Sequence, residues 1–189
     1  MSGITPRGFL GGGLLVATPL IDEPTFRRTV IAVLHHDGEG AIGVVLNRPT
    51  ALPVSEPFPG WNELAADPPV MFSGGPVSPT GVICLARRSG PVDPVGWTPV
   101  LPEYGTLDLA RDPDEVRPAV TALRMFTGYA GWAAGQLEDE LDEGAWIVAA
   151  AQPRDLLSEH PESLWADVLR RQPGRTRLLA SYPPDIRLQ

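Results

Sequence analysis

Two groups of residues in this chain have side chains suited to chemistry, and each stands at the end of an apolar run. His35-His36-Asp37 closes the run Val30-Ile31-Ala32-Val33-Leu34, and Asn47-Arg48-Pro49-Thr50 closes Ile42-Gly43-Val44-Val45-Leu46. Histidine beside aspartate is the material of acid–base catalysis or of a metal site. Successive side chains of a strand point to opposite faces, so His35 and Asp37 can share a face while His36 cannot join them. A zinc site needs three or four ligands, and the remaining histidine, His160, lies far along the chain in a Glu-His-Pro loop. No metal and no other cofactor is therefore expected. The structural alternative has Asp37 opening a turn through an Asx-type hydrogen bond, with His35 a satisfied histidine at the strand end.

Arg48 precedes a proline, which excludes the helical region and holds the residue extended. A guanidinium fixed in this way suits a planar carboxylate or a phosphate. An internal ion pair with Asp22 or Asp37 would use it equally well. Asn47-Arg48 is expected beside the base of the turn that follows His36. Ser73-Gly74-Gly75, after the run Val70-Met71-Phe72, could present backbone N–H groups to an anion, or could simply turn. Trp132 and Gln136, in Gly128-Tyr129-Ala130-Gly131-Trp132-Ala133-Ala134-Gly135-Gln136, could cover and hydrogen-bond a pocket, or the tryptophan could be buried under loops. With Arg28, these residues make up the candidate ligand site: Arg28, His35, Asp37, Asn47, Arg48, Ser73, Gly74, Gly75, Trp132 and Gln136.

The elements that must position them are mostly strands. Apolar, β-branched runs predict strands over Gly13 to Thr18, Thr29 to His36, Ala41 to Asn47, Val70 to Ser73, Gly81 to Ala86, Gly105 to Leu109, Leu123 to Ala130 and Ala145 to Ala151. Helices are predicted over Pro24 to Arg28, Asp114 to Ala122, Trp132 to Glu143 and Glu162 to Arg171. Asp37-Gly38-Glu39-Gly40 reads as a four-residue hairpin loop, which makes the second and third strands antiparallel neighbours near the centre of the sheet. The proline-rich stretches Pro49 to Pro69 and Pro91 to Pro102 read as irregular, apart from a turn of helix at Trp61 to Leu64. Gly135, inside a predicted helix, implies an element packed closely against it. Strands that follow one another with helices inserted irregularly give an α+β class.

The 189 residues suit one domain spanning 1–189, and the 43% hydrophobic content excludes general disorder. No apolar run approaches the roughly 20 residues needed to span a bilayer, and no leader-like h-region opens the chain. A cytoplasmic protein without a membrane segment is expected. Net charge is −8 and the 15 Lys+Arg residues are all arginine, a balance that argues against direct nucleic-acid binding. Arg170, Arg171, Arg175 and Arg177 read as cations near a helix C-terminus. Cys84, in Gly-Val-Ile-Cys-Leu-Ala, reads as a buried thiol.

The runs from Gly13 to Pro49, the segment Gly128 to Leu141, the Gly-Gly-Pro turn at Gly74 and Trp165 with Leu169-Arg170-Arg171 together resemble the AlgH/YqgE family of bacterial proteins. The resemblance covers essentially the whole chain. It implies a mostly antiparallel sheet curled into a partly open pseudo-barrel flanked by helices, and no settled activity. The family name carries a proposed role in transcriptional regulation, yet no basic reading helix is visible here. Two functions fit the residues. One is a cytosolic non-enzymatic binding or regulatory protein that recognises a small anionic ligand or a protein partner. The other is a hydrolase or transferase using His35 or Asp37 as acid–base groups. Convergence of these side chains in one cleft would separate them.

Overall fold

The computed structural model describes residues 10–183. Its strands are β1 (Gly13–Ala17), β2 (Val30–Asp37), β3 (Gly40–Val45), β4 (Pro49–Pro53), β5 (Val70–Ser73), β6 (Val77–Arg88), β7 (Trp97–Pro99), β8 (Tyr104–Leu107), β9 (Val120–Ala133) and β10 (Trp146–Ala150). They form one sheet with the order β10-β1-β2-β3-β9-β6-β8-β7, and β5 joins β9 with β4 outside it. The β5–β9 pair is parallel, and the other strand pairs are antiparallel. Among the described residues four short α-helices accompany the sheet: α1 (Pro113–Val116), α2 (Gln136–Asp142), α3 (Pro153–Leu156) and α4 (Leu164–Arg170). The architecture is a mostly antiparallel curled sheet, a half-barrel with a few helices.

The continuous apolar composition of the central strands follows from burial on both faces. In β2, Val30 and Ala32 join Leu14, Val16, Val44 and Leu46 in one core, which α4 covers with Leu164, Trp165, Val168 and Leu169. The alternate residues Ile31 and Val33 join Leu15, Ala17, Val45, Trp132 and Trp146 in a second core on the other face. A third core lies under β6 and β9, where Cys84, Ala86, Leu123 and Met125 meet Val54, Trp61 and Val116. Cys84 is 1% exposed. Burial pushes its thiol up to about 12, so it packs as a small apolar side chain and not as a thiolate.

The hairpin β2–β3 lies near the centre of the sheet, as its composition predicts, but Asp37 pairs with Gly40, so only Gly38 and Glu39 turn. Several other expectations are corrected. Pro24 to Arg28 forms turns rather than a helix. The helix foreseen over Asp114 to Ala122 is one α turn followed by a 3-10 turn over Arg117–Ala119, because Pro118 lacks an N–H, and β9 already begins at Val120. The two proline-rich stretches each contain an outer strand, β4 and β7, at positions where missing N–H donors are tolerated. Trp132 stands in β9 and not in a helix, paired with Ala41. α2 starts only after Gly135, whose φ of +76° marks the change of direction, and no neighbour crowds that glycine.

Candidate functional site

The turn that feeds β2 is held by the end of β3. Arg28 adopts a left-handed backbone, φ +56°, a conformation costing of order 1–3 kcal/mol in a non-glycine residue. Asn47, 7% exposed, clamps it: the side-chain amide donates to the Arg28 carbonyl at 2.9 Å and its oxygen accepts from Val30 N–H at 2.9 Å. Thr29 adds bonds from its N–H and hydroxyl to the Phe26 carbonyl at 3.1 and 2.7 Å. Arg48 reaches back over the same turn, donating from Nη1 to the Asn47 carbonyl at 3.2 Å and from Nη2 to the Arg27 carbonyl. Asn47 is therefore a positioning residue, and both arginines keep N–H donors for other uses.

Arg28, Asn47 and Arg48 line a cavity of about 200 Å³ with Arg27, Glu162, Trp165 and Ala166. The Arg28 guanidinium lies 4.0 Å from the centroid of the Trp165 ring and donates to the Tyr182 carbonyl at 2.8 Å. Trp165 is anchored in turn, its indole N–H donating to the Ala17 carbonyl at 2.9 Å. Among the described residues neither Arg28 nor Arg48 has a carboxylate at ion-pairing distance, and Arg27 has only the exposed Asp22 at 3.9 Å. The structure thus shows neither of the ion pairs open to Arg48 from the sequence. Burial, reinforced by the nearby Arg27 charge, lowers the pKa of both Arg28 and Arg48.

His35 and Asp37 stand elsewhere. In an antiparallel hairpin the turn and the open end are a strand length apart, and six residues of β3 at roughly 3.3 Å each separate them by about 20 Å. Asn47 and Arg48 are consequently at the open end of the hairpin, not beside its turn. His35 Nε2 donates to Asp37 Oδ2 at 2.8 Å, with side chains 66% and 44% exposed. That bond, followed by the Glu39 N–H, lowers the Asp37 pKa. His36 points the other way, as strand alternation requires. Its Nδ1 accepts from Leu10 N–H at 3.2 Å, which leaves Nε2 to donate to Glu138 at 3.0 Å.

Ser73 adjoins the arginine turn through its backbone, and Gly74 follows it into the sheet. Ser73 N–H donates to the Arg48 carbonyl and Gly74 N–H to the Thr127 carbonyl, both at 2.8 Å, so these two donors are engaged by the sheet. The glycines permit a close crossing: a Cβ on Gly75, φ +150°, would lie 2.2 Å from the Tyr129 carbonyl carbon. Trp132 and Gln136 belong to a third place, at the turn end of the hairpin. Glu140 accepts there from the indoles of Trp132 and Trp146 at 2.9 and 2.7 Å and from the Gln136 amide at 2.9 Å. Of the ten candidates, the structure brings Arg28, Asn47 and Arg48 into one cavity, with Ser73 behind it.

A second cavity of about 870 Å³ lies between Arg87 and Tyr104 on the sheet and the α3–α4 segment. Much of its charge is internally matched, Arg171 by Asp155 and Arg170 by Asp167. Arg124, 2% exposed, ties the lining residue Ser158 to Asp67 through their carbonyls and lies 4.2 Å over the Phe72 ring. Burial pushes its pKa down to about 10, and its Nε has no hydrogen-bond partner among the described residues.

A profile described as AlgH-like matches residues 14–177. The chain belongs to the AlgH-like family. A UPF0301 protein of Streptomyces coelicolor is 49% identical over 98% of each chain. One from Mycobacteroides abscessus is 44% identical over 93% of this chain and 86% of its own. Among solved structures, a Corynebacterium diphtheriae protein superposes with a TM-score of 0.87 at 31% identity, over 96% of this chain and 95% of that one. The solution structure of AlgH from Pseudomonas aeruginosa gives 0.70 at 27% identity, over 98% and 100%.

In this AlgH-like chain Arg27, Glu162 and Trp165 line the cavity without standing out in the sequence as site residues. Arg27-Arg28 just before a buried strand was a usable signal, since paired guanidinia cannot enter that strand and must turn outward. Glu162 and Trp165 reach the cavity only through the docking of α4 on β1, which no local spacing announces.

Proposed function

We propose that this AlgH-like protein is a cytosolic, non-enzymatic binding or regulatory protein that recognises a small anion at Arg28 and Arg48. The observation that carries this reading is two partly buried guanidinia facing one cavity without a carboxylate partner among the described residues. Keeping such charges desolvated is unfavourable, and an anion that accepts their remaining donors offsets that cost. The strained backbone of Arg28 fits a preformed clamp. A regulatory role would then act through a ligand-dependent surface and not through direct contact with nucleic acid, in keeping with a net charge of −8. The hydrolase or transferase reading has less support, because His35 and Asp37 lie on an exposed hairpin tip about 20 Å from the arginines.

Arg48→Lys keeps the charge and loses the forked geometry. It is expected to weaken binding of inorganic phosphate by about 1–3 kcal/mol while the protein stays folded. Thermal shift of both proteins across a phosphate series checks this. A large fall in melting temperature for Arg48→Lys, with no stabilisation of the parent by phosphate or acetate, would leave Arg48 as a purely structural brace of the turn.

A further inference from the structure

The arginine cavity is mostly but not wholly cationic, because Glu162 stands on its wall with Arg27, Arg28 and Arg48. Glu162 makes no ion pair with Arg28 or Arg48; its contact is with His160 at 3.6 Å, and it is 73% exposed. A simple anion would use the guanidinia and leave this carboxylate idle, or be repelled by it. A carboxylate placed near bound phosphate is suited to accepting hydrogen bonds from ligand hydroxyls, as acidic residues do with the ribose in dinucleotide sites. Two guanidinia without carboxylate partners among the described residues match the dianion of a phosphate monoester better than a single carboxylate. The volume of about 200 Å³ is enough for a phosphate with a few carbon atoms. Trp165 is covered by Arg28 and is only 3% exposed, so it offers no free face to stack a base or ring.

We infer that the ligand is a small hydroxylated phosphate monoester, with its phosphate on Arg28 and Arg48 and its hydroxyls donating to Glu162. This rests on the anion-binding reading above and names its ligand class. Arg27 contributes long-range attraction at the cavity edge, and Asn47 holds the turn without touching the ligand.

Calorimetric titration with glycerol 3-phosphate and with n-propyl phosphate, which differ only in the two hydroxyls, tests it. The parent protein is expected to prefer glycerol 3-phosphate by about tenfold, the scale of a hydrogen bond to a charged group. Glu162→Ala is expected to bind both equally, with propyl phosphate affinity unchanged or raised as the repulsion disappears. Glu162 is exposed, so the variant should fold, and a circular dichroism melt checks that it does. Equal affinity of the parent for the two esters, each still weakened by Arg48→Lys, would overturn the hydroxyl inference and leave the anion site standing. A preference that survives in Glu162→Ala would overturn the role of Glu162. Failure of both esters and of inorganic phosphate to bind the parent would overturn the inference together with the reading beneath it.

Discussion

Asp155→Ala is expected to lower the unfolding free energy by about 3–5 kcal/mol, the range for breaking a buried ion pair from one side. Asp155 is 2% exposed, and its carboxylate takes both Nη1 and Nη2 of Arg171, a bidentate match. The same carboxylate accepts from Gln152 N–H at 2.7 Å and so caps the start of α3. Alanine removes all three bonds, orphans the Gln152 N–H and leaves the Arg171 side chain, itself only 18% exposed, without its counter-charge. Urea denaturation with an unchanged m-value measures the loss. Asp167→Ala is the control: its pair with Arg170 is 50% and 63% exposed, so its change should stay within about 1 kcal/mol. A loss below about 1 kcal/mol for Asp155→Ala would mean that the α3–α4 segment is not held by this pair.

Glu140→Ala should cost about 2–4 kcal/mol and change the tryptophan emission together with it. Trp132 and Trp146 are 7% and 6% exposed, and their rings meet edge to face at 6.0 Å. Both indole N–H groups donate to the same Glu140 oxygen, so truncation leaves two nearly buried donors unpaired at about 1–3 kcal/mol each, less what water recovers. Glu140→Gln, whose carbonyl can still accept, is expected to lose about half as much. Denaturation followed by fluorescence reads both effects. An unchanged midpoint and spectrum in Glu140→Ala would show that these indoles are satisfied in another way.

The parts of this fold that were legible in the sequence are those where burial alone dictates structure. The apolar runs at Leu14, Val30 and Val44 read as strands, those at Val30 and Val44 as central ones, and the hairpin between Asp37 and Gly40 followed from its glycines. Proline hid β4 and β7, because an outer strand needs only some of its N–H groups and its composition looks like a loop. The helix expected over Trp132 to Glu143 begins too early, because Ala133, Ala134, Leu137 and Leu141 share a helical spacing. The pairing of Trp132 with Ala41 overrides that pattern, and Gly135 defers the helix. For the site, Arg48 stood out because Pro49 fixes its backbone. The roles of Arg28 and Trp165 depend on a contact between residues far apart in the chain, made by the packing of α4 on the sheet. The separation of His35 from Arg48 required only the geometry of a hairpin, whose turn and open end lie a strand apart.

The central claim is that the cavity at Arg28 and Arg48 binds an anion. The most direct measurement is a two-dimensional amide NMR titration of the full chain with inorganic phosphate at constant pH and ionic strength. The account predicts saturable shifts centred on Arg27 to Thr29, Asn47 to Arg48 and Glu162 to Ala166, with His35 to Asp37 unmoved. No saturable shift at the arginine turn, or shifts centred on the hairpin tip at His35 to Asp37, would contradict it.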